Sequence, residues 1–395
     1  MVKNFLLNQL PSSMLFVLRK VYQNGIILAY YFLRIFPINH KKIIVTNYYG
    51  KGYGDNGKYI AEEILRRNLN CDLVWLVNKN YEKGFPEPIR TVRYGSLKAR
   101  YEEVTAKIWI DNSRKSSLVR KREGQFYIQT WHGGIALKRV EKDVENKLRN
   151  GYVIDAKHDS TMADLFISNS KFTTKLYRSA FWYDGEILEC GYPRNTILIS
   201  CPQDIKHKVF RFFDLADDTK IVLYAPTFRG DHNMEVYDLE YNRILTALEK
   251  KYSCNWVILF RLHPDISEKA DAIAYNQKVI NATRYDDMQE LMVASDVLIT
   301  DYSSTMFEFM LMHKPVFLYA TDLDEYVLDR DLYFDIFSLP FPVADSNDKL
   351  VEDLICFNEA QYLNGLRLFL SDIVLMEDER AAETIVDRIE MLIRK

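Results

Sequence analysis

The sequence predicts an α/β protein built from two parallel-sheet domains, and three observations carry that prediction. Short, almost wholly apolar strands alternate with helical stretches, as they do in sheets covered on both faces. The alternation breaks over Gly191–Asp218, which holds two prolines and polar residues, and then restarts. The length of 395 residues suits two domains of roughly 100–200 residues each. A composition of 48% hydrophobic and 27% charged residues can fill two cores and excludes a disordered chain.

The first element is a segment apart. Residues 12–36 are apolar, but Arg19, Lys20 and Arg34 interrupt them, and the longest clean block, Ile26 to Leu33, is far short of the roughly 20 residues of a spanning helix. No secretory cleavage site is present. His40, Lys41 and Lys42 follow. An apolar amphipathic helix rimmed by cations suits an anionic membrane interface, the alternative being a helix docked on its own domain. Strands are then expected at Ile43–Thr46, Asp72–Val77, Lys107–Ile110, Phe126–Thr130 and Leu165–Ser168, with helices such as Tyr59–Arg67 and Thr173–Ala180 between them. After the junction come strands at Lys220–Ala225, Trp256–Phe260, Asp296–Thr300 and Pro315–Tyr319. Helices are expected at Tyr241–Lys251, Met288–Ala294 and Thr305–Met312, and the last forty residues read as helical. The domains are therefore drawn as a helical segment over 1–42, a first sheet domain over 43–200 and a second over 201–395. Two such sheets imply a cleft, with ligands at the carboxyl ends of the strands.

A net charge of −3 argues against a nucleic-acid binder. Cys71, Cys190, Cys201, Cys254 and Cys356 are scattered without a CxxC pair, which fits a reducing cytosol and excludes a zinc ribbon or disulfide framework. Gly52, Gly54 and Gly57 match G-x-G-x-x-G after the first strand. A P-loop would need Ser or Thr where Tyr59 stands, and a dinucleotide fold would need an acid where Val77, Asn78 and Lys79 stand. The loop is therefore read as a tight turn bordering the cleft.

Four segments place polar, titratable residues directly after apolar strands. In QTWHGG (129–134), His132 precedes two glycines that leave its ring open, so it can act as a base near neutral pH. In YAPTFRG (224–230), Thr227 and Arg229 leave a buried strand, and Arg suits bidentate phosphate recognition. In LFRLHPD (259–265), Arg261 and His263 offer donors at another strand end. In ITDYSSTMFEF (299–309), Asp301 leaves a strand, and Ser303, Ser304 and Thr305 open a helix as a candidate anion site. Each segment alone has an ordinary structural explanation. Together they suggest a diphosphate cradle. The sequence contains no HExxH, no DxD and no clustered His/Cys set, so neither metal nor cofactor is expected.

These segments, with GYGDNGK (52–58), LFISNSKF (165–172) and ECGYPRN (189–195), occur in an order that resembles the CDP-glycerol:poly(glycerophosphate) glycerophosphotransferase family over about residues 43–330. The resemblance implies a GT-B-like fold, two Rossmann-like halves facing a cleft, with the first on the acceptor side and the second binding the CDP-activated donor. It implies a peripheral enzyme on the cytoplasmic face of the membrane. Such an enzyme moves polyol phosphate from CDP-glycerol or CDP-ribitol to an undecaprenyl-diphosphate-linked acceptor. The family's essential histidines correspond to His132 and His263, and its donor-binding positions to Arg261, Asp301, Ser303 and Ser304, with Thr227 and Arg229 beside them. Two departures bear on the acceptor and the polyol. Gly134, Ile135, Ala136, Leu137 and Lys138 stand where the family often has Thr-Pro-Leu-Lys after WHG, and Thr196 stands where Asp is frequent. The length favours a primase, short polymerase or capsule enzyme. In the expected reaction the acceptor hydroxyl attacks the β-phosphorus, His132 takes its proton, and His263, Arg261, Ser303 and Ser304 stabilise the diphosphate. The alternatives are a nucleotide-sugar glycosyltransferase of the same architecture and a non-catalytic membrane assembly partner.

Overall fold

The computed structural model describes residues 11–227, 238–262, 275–323, 325–326 and 331–394. Among these residues the first sheet has seven parallel strands: β1 (Asn39–Thr46), β2 (Asp72–Val77), β3 (Arg90–Arg93), β4 (Ala106–Asp111), β5 (Phe126–Gln129), β6 (Leu165–Ser168) and β7 (Glu186–Glu189), in the order β3-β2-β1-β4-β5-β6-β7. The second has six: β8 (Lys220–Tyr224), β9 (Trp256–Phe260), β10 (Val279–Asn281), β11 (Val297–Thr300), β12 (Val316–Tyr319) and β13 (Val343–Ala344), in the order β10-β9-β8-β11-β12-β13. Each order reverses once, between β1 and β4 and between β8 and β11, and a reversal opens a crevice at the strands' carboxyl ends.

All nine expected strands are present. The four that the sequence reading lacks, β3, β7, β10 and β13, are the four sheet edges. An edge strand is half-wet and short, so it carries no continuous apolar run. The first strand also begins earlier than expected, at Asn39, because the backbone of its exposed polar start pairs although its side chains are solvated.

Two parts of the chain sit where composition does not place them. The last helix, Ala381–Arg394, buries Ile385, Val386 and Ile389 among Ile43, Ile60 and Ile64 of the first domain, and Asp387 pairs with Arg67 at 2.6 Å. The sequence assigned it to the second domain, since an amphipathic stripe does not say which sheet will cover it. Leu198, conversely, joins the second core. The chain thus crosses between domains twice. The N-terminal helix, Ser12–Phe32, docks by one face near its end. Tyr30 and the following Leu33 are buried against Val104, and the Tyr30 hydroxyl donates to Glu103. Phe16, Val21 and Tyr22 upstream, and Leu28 and Phe32 beside the docked face, are 61–69% exposed. Among the described residues no helix is long and apolar enough to cross a membrane.

The glycine loop is built for packing. Gly50 and Gly52 take φ of +93° and +79°, in the region that glycine enters without strain. A Cβ at Gly57 would lie 2.8 Å from Val45 and 3.2 Å from the Trp75 ring. Gly57 therefore lets the helix Asp55–Arg66 sit flush on the sheet.

Candidate active site

The site begins at the first sheet's reversal. β1 runs into Asn47 and Tyr48, and β4 into Asn112. The Asn112 side chain accepts from the Tyr48 N–H at 2.8 Å and donates to Asn47 at 2.7 Å, tying the two strand ends together. This fixes the Asn112 carbonyl, which accepts from His132 Nδ1 at 2.6 Å. A carbonyl only accepts, so the proton of the neutral ring is on Nδ1 and the Nε2 lone pair is available. The ring stacks on Trp131, centroids 4.2 Å apart, with Tyr48 on its flank at 5.3 Å. Burial among these rings lowers the His132 pKa from its ordinary value, opposed by the Asn112 carbonyl and the Asp55 charge. The imidazole is neutral at pH 7.

The turn that carries His132 is held from several sides. Trp131 adopts φ +53°, a strain of roughly 1–3 kcal/mol for a bulky residue, offset by its N–H bond to Gln129 at 2.9 Å. Asn56 donates to the Trp131 carbonyl at 3.2 Å and Arg194 to the His132 carbonyl at 2.8 Å. The same buried guanidinium pairs with Asp55 of the glycine loop and Glu308 of the second domain. The Tyr48 hydroxyl donates to Asp55 at 3.0 Å and Gln289 to Glu308 at 2.9 Å. Beside this network, Lys58 reaches across to Asp287 at 2.6 Å and Glu290 at 3.1 Å.

The second sheet's reversal contributes the facing wall. Asp301, at the end of β11, accepts from the Thr227 backbone N–H at 2.9 Å, from the Thr227 hydroxyl and from the Tyr302 N–H at 2.6 Å. It therefore ties Thr227, just past β8, to the end of β11. Ser303 Oγ lies 2.8 Å from Thr305 Oγ1. Ser304 precedes the helix Thr305–Phe309 without making a side-chain cap bond. That helix is shorter than expected and passes into a 3-10 turn at Met310–Met312. Arg261 donates to the Tyr285 carbonyl at 2.6 Å, and burial lowers its pKa. Arg229 and His263 lie outside the described residues.

The two walls meet. A Cβ at Gly133 would lie 3.9 Å from Ser304 Oγ, so the fold brings the His132 turn to the hydroxyl-rich start of the helix after β11. Asn112, Asp55, Arg194 and Glu308 were not singled out from the sequence as site residues. Three of them sit inside the ordered matches GYGDNGK, GYPRN and TMFEF, which was the signal available; Asn112 had none.

The family model for CDP-Glycerol:Poly(glycerophosphate) glycerophosphotransferase matches residues 28–391. A teichoic acid poly(glycerol phosphate) polymerase of Staphylococcus epidermidis is 31% identical over 372 residues, which cover 91% of this chain and 52% of that protein. The chain thus spans about half of that relative's length. A teichoic acid glycerol-phosphate transferase of Staphylococcus aureus is 30% identical over 387 residues, covering 94% of this chain and 98% of that one. A solved structure of a variant of the wall teichoic acid polymerase TagF, soaked with CDPG, superposes with a TM-score of 0.81 at 30% identity over 90% of each chain.

Proposed function

The chain belongs to the CDP-glycerol:poly(glycerophosphate) glycerophosphotransferase family, and from that premise we propose that it transfers glycerol phosphate from CDP-glycerol to a hydroxyl of a lipid-linked teichoic-acid or capsule precursor, releasing CMP. The observation that carries this reading is the approach of the His132 turn to Ser304 across the two domains of a GT-B-like fold. A neutral proton acceptor on one wall faces hydroxyl donors on the other.

The acceptor hydroxyl attacks the β-phosphorus while His132 Nε2 removes its proton. The bond from that phosphorus to the bridging oxygen breaks, and CMP leaves with the bridging oxygen. CMP is a stable anion, so the step needs little general acid. The barrier is then mostly electrostatic. Ser303, Ser304 and Thr305 offer hydroxyl donors to the diphosphate, and Arg261 supplies fixed positive charge. His263 and Arg229 are assigned to the same diphosphate from the sequence. Thr227 and Asp301 are assigned to the donor site from the sequence, and Asp301 also ties Thr227 to the end of β11. The first domain takes the acceptor and the second the donor. Glycerol is preferred to ribitol because both relatives described above are named for glycerol phosphate.

The N-terminal helix supports a peripheral membrane location. Its exposed apolar stretch carries Arg19 and Lys20, cations that suit an anionic surface. Labelled CDP-glycerol and CDP-ribitol, each incubated with a synthetic prenyl-diphosphate-linked acceptor, test the reading by product mass. A phosphodiester with CMP release supports it. A glycoside with release of a nucleoside diphosphate from a nucleotide sugar, and no turnover of either CDP-polyol, overturns it.

A further inference from the structure

We propose that Arg194, with Asp55 and Glu308, is a positioning clamp that sets His132 in its working place only when the two domains are docked. The inference rests on the reading of His132 as the base.

Arg194 lies in the crossing between domains, on the turn Pro193–Asn195, and is 5% exposed. One arm of its guanidinium holds Asp55 of the first domain, and the other holds Glu308 of the second. That second arm also donates to the His132 carbonyl at 2.8 Å. The Arg194 backbone N–H donates to Asn56 at 3.2 Å, and Asn56 holds the Trp131 carbonyl. Both carbonyls flanking the start of His132's turn are therefore governed by one residue and its neighbour. On the far side, a Cβ at Gly134 would fall 2.5 Å from the Asn169 amide, so the turn has no room to slide that way.

The chemistry argues for a task beyond cohesion. Desolvating three ionic groups offsets much of their mutual attraction, so apolar contacts would join two domains at least as well. An ion triad has one property apolar contacts lack, a fixed geometry at each arm. This triad is complete only when Glu308 is delivered by the second domain. Domain separation would remove one carboxylate from the guanidinium that also positions the His132 carbonyl. The clamp touches the backbone of His132, and its ring is held separately by Asn112. Loss of the clamp should misplace the base without removing it, lowering kcat and sparing donor affinity.

The test is Glu308→Gln, made in the full-length protein and also in a His132→Ala background. CMP release is followed with CDP-glycerol and the synthetic acceptor, and donor binding is followed by calorimetry. Glu308→Gln is expected to lower kcat about 10- to 100-fold, the scale of a small misplacement of a reacting group. Its donor Kd should stay within about twofold. In the His132→Ala background the same change should cost nothing more, because a clamp that acts through His132 has nothing left to position. Tyr48→Phe, which removes only the hydroxyl donated to Asp55, should lower kcat in the same direction by less. It keeps the experiment decisive if Glu308→Gln folds poorly.

Equal losses in both backgrounds, or a loss confined to donor Kd, overturn the clamp. So does a fully active Glu308→Gln or, where that variant folds poorly, a fully active Tyr48→Phe. Wild-type turnover by His132→Ala overturns instead the reading of His132 as base, and the clamp with it.

Discussion

A neutral imidazole at position 132 gives turnover a definite dependence on pH. Burial lowers the His132 pKa from 6.5, so the active, unprotonated form persists to lower pH than for a solvated histidine. The acid limb of kcat should fall below pH 6.5 and be flat through pH 7; a limb centred above 6.5 would contradict the buried, Nδ1-bonded ring. His132→Ala should lower turnover by roughly 10²–10⁴-fold, the worth of a positioned base, while calorimetry still detects CDP-glycerol binding. Unchanged turnover in the folded variant removes His132 from the chemistry. At this scale His132, Ser303 and Ser304 could be singled out from the sequence because each follows an apolar strand or opens a helix. The partners of Arg194 were not. Asp55 and Glu308 stand 139 and 114 residues away in sequence, and no local spacing relates them.

At the scale of elements, the start of the helix Thr305–Phe309 separates binding from folding. Ser304 makes no cap bond there, and among the described residues the Ser303 hydroxyl reaches only Thr305, whose N–H lies 3.3 Å from it. Ser303→Ala with Ser304→Ala should therefore weaken CDP-glycerol binding more than it lowers stability, cap loss being worth about 0.5–2 kcal/mol at most. Wild-type donor affinity in the double variant would contradict the cradle. The N-terminal helix permits an equally separate test. Deleting residues 1–36 would also remove Tyr30 and Leu33, which are buried on the body. Phe16→Ser with Val21→Ser alters only exposed positions and should leave the fold unchanged while reducing sedimentation with anionic vesicles. Salt should reduce the remainder, since interfacial cations contribute roughly 1 kcal/mol each and are screened. Full sedimentation of the folded variant would place the anchor elsewhere. Arg34, read from sequence as a lipid-facing cation, donates to the Lys121 carbonyl at 3.1 Å and lies over the Tyr31 ring.

At the scale of the molecule, the two crossings between domains are joined by one carboxylate. Glu377 accepts from the Tyr192 N–H at 2.9 Å, from Asn195 at 2.7 Å and from Asn169 at 2.9 Å. Burial pushes its carboxyl up to about 7, against the opposing pull of these N–H donors. The folded chain thus keeps a proton that the unfolded chain releases near 4.5. The stability tied to that proton is fully present below pH 4.5 and is lost as pH rises through about 7. Glu377→Gln lacks this ionisation and must turn an amide N–H₂ toward one of three donors. It should be less stable than wild type at pH 5, and the gap in thermal midpoint should narrow by pH 8. A gap that is constant or widens would mean that Glu377 is already ionised in the folded state.

What the sequence by itself determined was whatever follows from local patterning. The apolar runs of β1, β2, β4 to β6, β8, β9, β11 and β12 are read without tertiary knowledge, because a strand buried on both faces must be apolar throughout. The polar residues after them mark the functional edge for the same reason. Their order along the chain was sufficient to indicate the family. The tertiary structure alone decided which surfaces meet. It returned the final helix to the first domain, docked the N-terminal helix through one face near its end, and tied Asp301 to Thr227. It also threaded Arg194 between Asp55 and Glu308 beneath the His132 turn. These outcomes depend on contacts between distant segments, where burial, charge and hydrogen bonding are set by partners that no stretch of sequence contains.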